Sequence, residues 1–225
     1  MDADSKEAAI PGGCETYDPP MADIPLDHVL RIQGYRDLSS VRNDVRAIAT
    51  DMTVLADKLA APKAFFREVP VEACADGALT LKTGTRFTGD VFGQVLQDCD
   101  TVIAFVLTLG DALDNEVGNC LKAGEIVEAL FLETAGWLGI EQSSKQLAIH
   151  LQDRAHGDGL CLTRRLGPGY KEWDLLEQKP LFELFAETEL PVRLLESCAM
   201  FPKKSRSGLF GLRPLAKPRS NKNLN

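Results

Sequence analysis

The sequence predicts an α+β domain, because helical and strand patterns are mixed without strict alternation. Three stretches carry that reading. Between Val41 and Ala60, Val41, Val45, Ile48, Met52, Leu55 and Leu59 recur at spacings of three and four, the period of a helix with one buried face. Thr101 to Leu109 is an unbroken apolar run of strand length, as expected for a central strand buried on both sides. From Ile126 to about Gln152 a long helical stretch opens with Val127, Ala129, Leu130, Leu132, Ala135 and Leu138, apolar nearly all round and so expected inside the core.

The remaining elements follow in order. Residues 1–22, with Pro11, Gly12, Gly13, Pro19 and Pro20 and little apolar content, read as a disordered or loosely draped arm. Asp27 can cap a short helix carrying Val29, Leu30 and Ile32, which Gly34 stops. Pro62 ends the second helix, and Ala64 to Val71 reads as a strand. Asp76-Gly77 is a hairpin signal joining it to Ala78–Lys82. Thr88 is expected to cap a helix through Leu96, and a helix is expected from Asp111 to about Leu121, separated by Gly124 from the long one. Past Gly157-Asp158-Gly159 come a strand near Leu160–Leu162 and a helix around Leu175–Glu187. Asp174 with Glu177 resembles a capping box there, although Pro180 conflicts with so early a start, so either the first turn is separate or the helix begins at Lys179. Val192–Met200 and Ser207–Leu212 read as two further strands.

Composition narrows the function classes. With 225 residues and 44% hydrophobic content, one large domain over residues 23–212 is expected to bury a core. The net charge of -8 argues against general attraction to nucleic acid. Seven Lys or Arg and no acid lie between Lys203 and Asn225, so residues 213–225 read as a basic flexible tail. No apolar run approaches the roughly 20 residues that span a bilayer, and the acidic N-terminus lacks signal-peptide order, so cytoplasm is the expectation. The six cysteines form no CxxC pair, and none of the three histidines has metal-ligand spacing. No strand–GxGxxG–helix unit opens the chain, which disfavours an ordinary methyltransferase or dinucleotide enzyme.

Two C-terminal elements carry chemistry. Arg165-Leu166-Gly167-Pro168-Gly169-Tyr170 joins a fixed cation, a tight turn and an aromatic ring with a polar tip. Arginine offers a rigid two-pronged donor for a carboxylate, and the two glycines let a ligand approach the backbone. After one helical stretch, Leu194 to Gly208 supplies an acid, Glu196, beside a strand, and then the hydroxyls Ser197, Ser205 and Ser207 with Gly208. Together the two elements suit a small zwitterion carrying an aromatic base, such as S-adenosylmethionine.

Arg165–Tyr170, the stretch Trp173–Phe185 and the segment Leu194–Gly211 resemble the activation domain of cobalamin-dependent methionine synthase, whose pattern is Arg-x-x-Pro-Gly-Tyr, a helix rich in Glu and Lys, Leu-Thr-Glu-Ser, Met-x-Pro and Ser-x-Ser-Gly. His28–Arg36, Ala104–Gly110 and Leu132–Gly136 resemble the short stand-alone members of that family. The resemblance implies a helmet-like domain with a bent, mostly antiparallel sheet flanked by helices. It implies S-adenosylmethionine as ligand, with cobalamin held by a partner methionine synthase or other corrinoid protein and a flavodoxin-type electron donor. It places Arg165 on the ligand carboxylate, Gly167 at the backbone position that meets adenine, and Tyr170 at the border of the pocket. Pro168, Gly169, Ser205, Ser207 and Gly208 complete the candidate set, and Glu196 and Ser197 are expected at the pocket wall or on the cobalamin-facing surface. No catalytic side chain or metal ligand is expected. Three departures stand out: no Asp-Trp motif lies near the N-terminus, Leu195 replaces the usual threonine, and no tyrosine follows Ser207-Gly208. The implied function is a stand-alone reactivation module. The alternative is a docking protein for a corrinoid methyltransferase that no longer binds the methyl donor.

Overall fold

The computed structural model describes residues 13–21, 23–170 and 172–215. Three layers make up the fold: a seven-stranded antiparallel sheet, four helices on one face, and two short helices with irregular chain on the other. The sheet is built around β5 (Thr101–Thr108), flanked by β2 (Lys63–Ala75) and β9 (Ser205–Pro214). Outside β2 lie β3 (Ala78–Leu81) and β4 (Arg86–Thr88), and outside β9 lies β6 (Leu160–Leu162). The alternation of β5 divides the core. Ile103, Phe105 and Leu107 face one apolar layer, and Val102, Ala104 and Val106 face the other. Burial on both faces is what the unbroken run from Thr101 demands.

The first layer contains α1 (Leu26–Ile32), α2 (Asn43–Leu59), α4 (Ala112–Ala123) and the 32-residue α5 (Ile126–Gly157). The second contains α3 (Val91–Val95), α6 (Gln178–Glu183) and the buried Trp173, which meets Phe87 and Phe92 edge-on at 5.5 and 5.1 Å between ring centres. A separate hairpin pairs β7 (Arg193–Leu194) with β8 (Met200–Phe201).

Several boundaries differ from expectation for local reasons. Residues 1–12, 22 and 216–225 of the expected arm and tail lie outside the described residues. Within the arm, β1 (Glu15–Tyr17) pairs with β2, fixed by a two-pronged Arg154–Glu15 contact at 2.7 and 3.0 Å and by Tyr17 stacked on His150 at 4.0 Å. Asp27 sits inside the first turn of α1 behind Pro25 and makes no cap. Thr88 ends β4 instead of capping α3, because its backbone N–H and hydroxyl both donate to Glu177. Asp174 does cap, accepting from Leu176 N at 2.8 Å, but it caps a separate 3-10 turn, Leu175–Glu177. Pro180 then falls in the first turn of α6, where a missing N–H leaves no bond unmade.

Two larger differences concern packing. The stretch Val192–Met200 is not one strand: it folds back on itself, with Leu195 N donating to Ala199 O and Cys198 at φ 63° in the turn. The start of α5 is not buried all round either, since Ile126, Leu130 and Trp137 stand half or more exposed on one side. That side runs beside the cleft described next.

Candidate functional site

The site is a cleft of about 320 Å³ between α5 and the C-terminal strand system. Its architecture starts at Gly208. The loop after β6 runs alongside β9, and Leu166 and Leu209 exchange backbone hydrogen bonds of 2.9 Å in both directions. A Cβ on Gly208 would lie 2.1 Å from the Leu166 carbonyl oxygen, so only glycine lets the loop come so close. Thr163 adds a second tie: its N–H donates to Gly211 O and its hydroxyl accepts from Gly211 N, each at 2.9 Å. The two elements singled out in the sequence thus meet side by side on the sheet.

With Leu166 buried in the second core layer, Arg165 beside it lines the cleft. Among the described residues the Arg165 guanidinium has no hydrogen bond and no ion pair. Burial lowers its pKa, as does the neighbouring Arg206 charge, while Glu141 and Tyr170 oppose the shift. Tyr170 is exposed at the cleft mouth and separates it from a smaller cavity of about 180 Å³, lined by Val91, Arg164, Gly167 and Trp173 among others. Gly169, at φ 85°, turns the loop and donates its N–H to Trp173 O at 2.8 Å, and Pro168 is buried against the cleft.

The opposite bank is α5. Glu133, Trp137 and Glu141 are spaced by four and share one helix face, on which Gly136 makes room for Lys204. Lys204 is almost fully buried, with its ammonium 2.8 Å from Glu133 and 3.3 Å from Asp114. Arg206 pairs with Glu141 through Nη2, while its buried Nη1 has no acceptor. Burial works to raise the Glu141 carboxyl, but the hydrogen bond from Arg206 and the charges of Arg206, Arg165 and Lys145 outweigh it and hold the pKa below the ordinary value.

The serines serve the wall itself. Ser205 Oγ donates to Thr108 Oγ1 and Ser207 Oγ donates to Gln178 Oε1, both at 2.9 Å, and Gln178 Nε2 reaches Cys198 O at 3.4 Å. Both serines line the cleft with their hydroxyl protons committed to protein acceptors. Glu196 and Ser197 are elsewhere. Glu196, expected at the pocket wall or on the cobalamin-facing surface, is exposed at the tip of the β7–β8 hairpin and is not part of the cleft wall. Ser197 Oγ accepts from Ala199 N at 3.4 Å within the same tip. The acids next to the cleft are instead Glu133 and Glu141, on a helix more than 20 residues upstream of Arg165. Their spacing of eight, with Trp137 between them, was the available signal, but an apolar helix gives no hint of which side opens to solvent.

The cleft therefore offers a guanidinium, Arg165, without a partner among the described residues for a carboxylate, two exposed rings for a planar group, and a half-exposed carboxylate, Glu133, for a cation. No family model matches the sequence, and no curated protein matches it. Solved structures do. One, described as the crystal structure of the MetH reactivation domain bound to AdoHcy, matches with a TM-score of 0.61 and 14% identity over 97% of this chain and 85% of that one. The likeness shows that the fold is shared.

Proposed function

We propose that this chain is a counterpart of the reactivation domain whose fold it shares, and that its cleft holds S-adenosylmethionine or the demethylated product for use with a partner corrinoid protein. The observation that carries the reading is the Arg165 guanidinium, partly buried at the cleft wall with no acceptor of its own among the described residues. A fixed cation in that position matches the carboxylate of an amino-acid head. Glu133, shared with Lys204, is the acceptor offered to the ammonium. Tyr170 and Trp137 offer rings to the base.

The protein needs no nucleophile of its own. The bound donor supplies a methyl group activated by positive sulfur, and the reduced cobalt of the partner's corrinoid supplies the nucleophile. What this chain contributes is position: Arg165 anchors one end of the ligand, the ring pair holds the other, and the sheet keeps the two anchors at a fixed separation. The exposed side of α5 and the exposed Leu175 and Leu176 frame the mouth where a partner would approach. The test mixes the protein with a corrinoid protein, a flavodoxin-type or chemical reductant and methyl-labelled S-adenosylmethionine. Label appears on the corrinoid if the reading is right, and its absence with a competent partner rejects it.

A second reading has its own support. The two carboxylates next to the cleft, Glu133 and Glu141, and Asp114, which shares Lys204 with Glu133, are each already in contact with a base. A protein that docks a corrinoid partner without binding the methyl donor would show complex formation in that mixture and no transfer.

A further inference from the structure

Arg206 is not part of the pattern that drew attention to this region, yet it changes the charge of the cleft. It stands on β9 between Ser205 and Ser207, facing α5, and with Arg165 it forms a pair of neighbouring guanidiniums. Glu141 faces both. Nη2 of Arg206 takes that carboxylate, and among the described residues neither its Nη1, which is sealed from solvent, nor Arg165 has an acceptor. Lys204 contacts both Asp114 and Glu133, so that trio carries one surplus negative charge and offsets only part of the excess. Lys203 lines the same cleft and adds a further cation. Burial first, and then the charge of Arg206, lower the Arg165 pKa.

We propose that Arg165 and Arg206 form a two-guanidinium anion subsite, so that this cleft favours ligands with a carboxylate or phosphate head and no net positive charge. One anionic head group can bond the Arg165 guanidinium from the cleft with the Arg206 charge beside it, and a planar body can lie between Trp137 and Tyr170. A sulfonium is poorly matched to such a cleft, and a neutral thioether or an anion is better matched. The inference rests on the cleft being the ligand site, as in the proposed function, but not on the identity of its ligand.

The test is a charge series on one nucleoside: adenosine 5′-monophosphate, S-adenosylhomocysteine and S-adenosylmethionine, titrated calorimetrically into the full chain, with inorganic phosphate as a head-group probe. The expected order of affinity follows that sequence, with at least tenfold between first and last and with salt weakening the first most. Arg206→Met, which keeps most of the side-chain volume, flattens the series. Glu141→Gln, which removes the shared counter-charge, tightens the monophosphate. Melting temperatures of both variants show that they fold, and a misfolded Arg206→Met leaves the Glu141→Gln result to decide. Tightest binding of S-adenosylmethionine, abolished by Arg165→Ala, would overturn the inference and leave the proposed function standing. Binding of the monophosphate without either adenosyl amino acid would sustain the inference and reject the proposed ligand. No binding of any probe at millimolar concentration would overturn both.

Discussion

Gly208 and Arg165 play opposite parts in the cleft, one by having no side chain and the other by having an unpartnered one. Replacing Gly208 by alanine drives a Cβ to within 2.1 Å of backbone at Leu166, which cannot move as a side-chain tip can. Overpacking of this kind costs about 1–3 kcal/mol, and in a chain of this size each kcal/mol lowers the melting temperature by about 2–4 °C. Thermal unfolding of Gly208→Ala is therefore expected several degrees below wild type, and an unchanged value would mean that the loop is not held against β9. Glu141 provides a pH test. Its folded pKa lies below the ordinary glutamate value, so the ion pair with Arg206 stabilises the fold above that ordinary value and is lost as the pH falls through the folded one. In chemical denaturation, the advantage of wild type over Glu141→Gln is expected to be full at neutral pH and to shrink below about pH 4.5. A difference that grows on acidification would contradict the pairing.

At the scale of elements, the Arg165–Tyr170 loop is held from both sides. Leu166 and Thr163 tie it to β9, and Gly169 ties it to Trp173. Trp173 in turn donates its indole N–H to Glu177 at 3.0 Å, and Glu177 also accepts from the Thr88 N–H at 2.8 Å. One carboxylate thus links β4, the buried tryptophan and the 3-10 turn. Glu177→Ala leaves the indole N–H of a buried ring without its acceptor, a loss of about 1–3 kcal/mol. The variant is expected to melt earlier and to show altered Trp173 fluorescence, whereas wild-type values for both would show that the link is not needed. The sequence disclosed this region unevenly. Helices with a clear apolar period, such as α2, and the doubly buried β5 were legible because local pattern and burial agree there. The fold-back at Leu195–Ala199 was not, because a stretch such as Val192–Leu195, apolar apart from Arg193, suits a long strand or a short hairpin equally well. Arg165 was legible from its turn chemistry. Glu133, Glu141 and Arg206 were not, since their roles depend on which face of α5 meets β9, and only the packed sheet decides that.

For the molecule as a whole, the three layers explain why the cleft lies where it does. The sheet places its doubly buried strand β5 at the centre, so a site must form toward an edge, and β9 is the strand on which loop, hairpin and α5 converge. No helix among the described residues is long and apolar enough to cross a membrane. The same fold carries a bound AdoHcy in the solved MetH reactivation domain. At 14% identity, the residues of this cleft must be judged by their own chemistry. Equilibrium binding of S-adenosylhomocysteine to the intact protein and to Arg165→Ala tests that judgement most directly. The account predicts measurable heat for wild type and at least tenfold weaker binding for Arg165→Ala, as expected when a charged hydrogen bond of about 1.5–3 kcal/mol is lost, with the melting temperature preserved. Silence from wild type at millimolar ligand, or equal affinity in the variant, would contradict it.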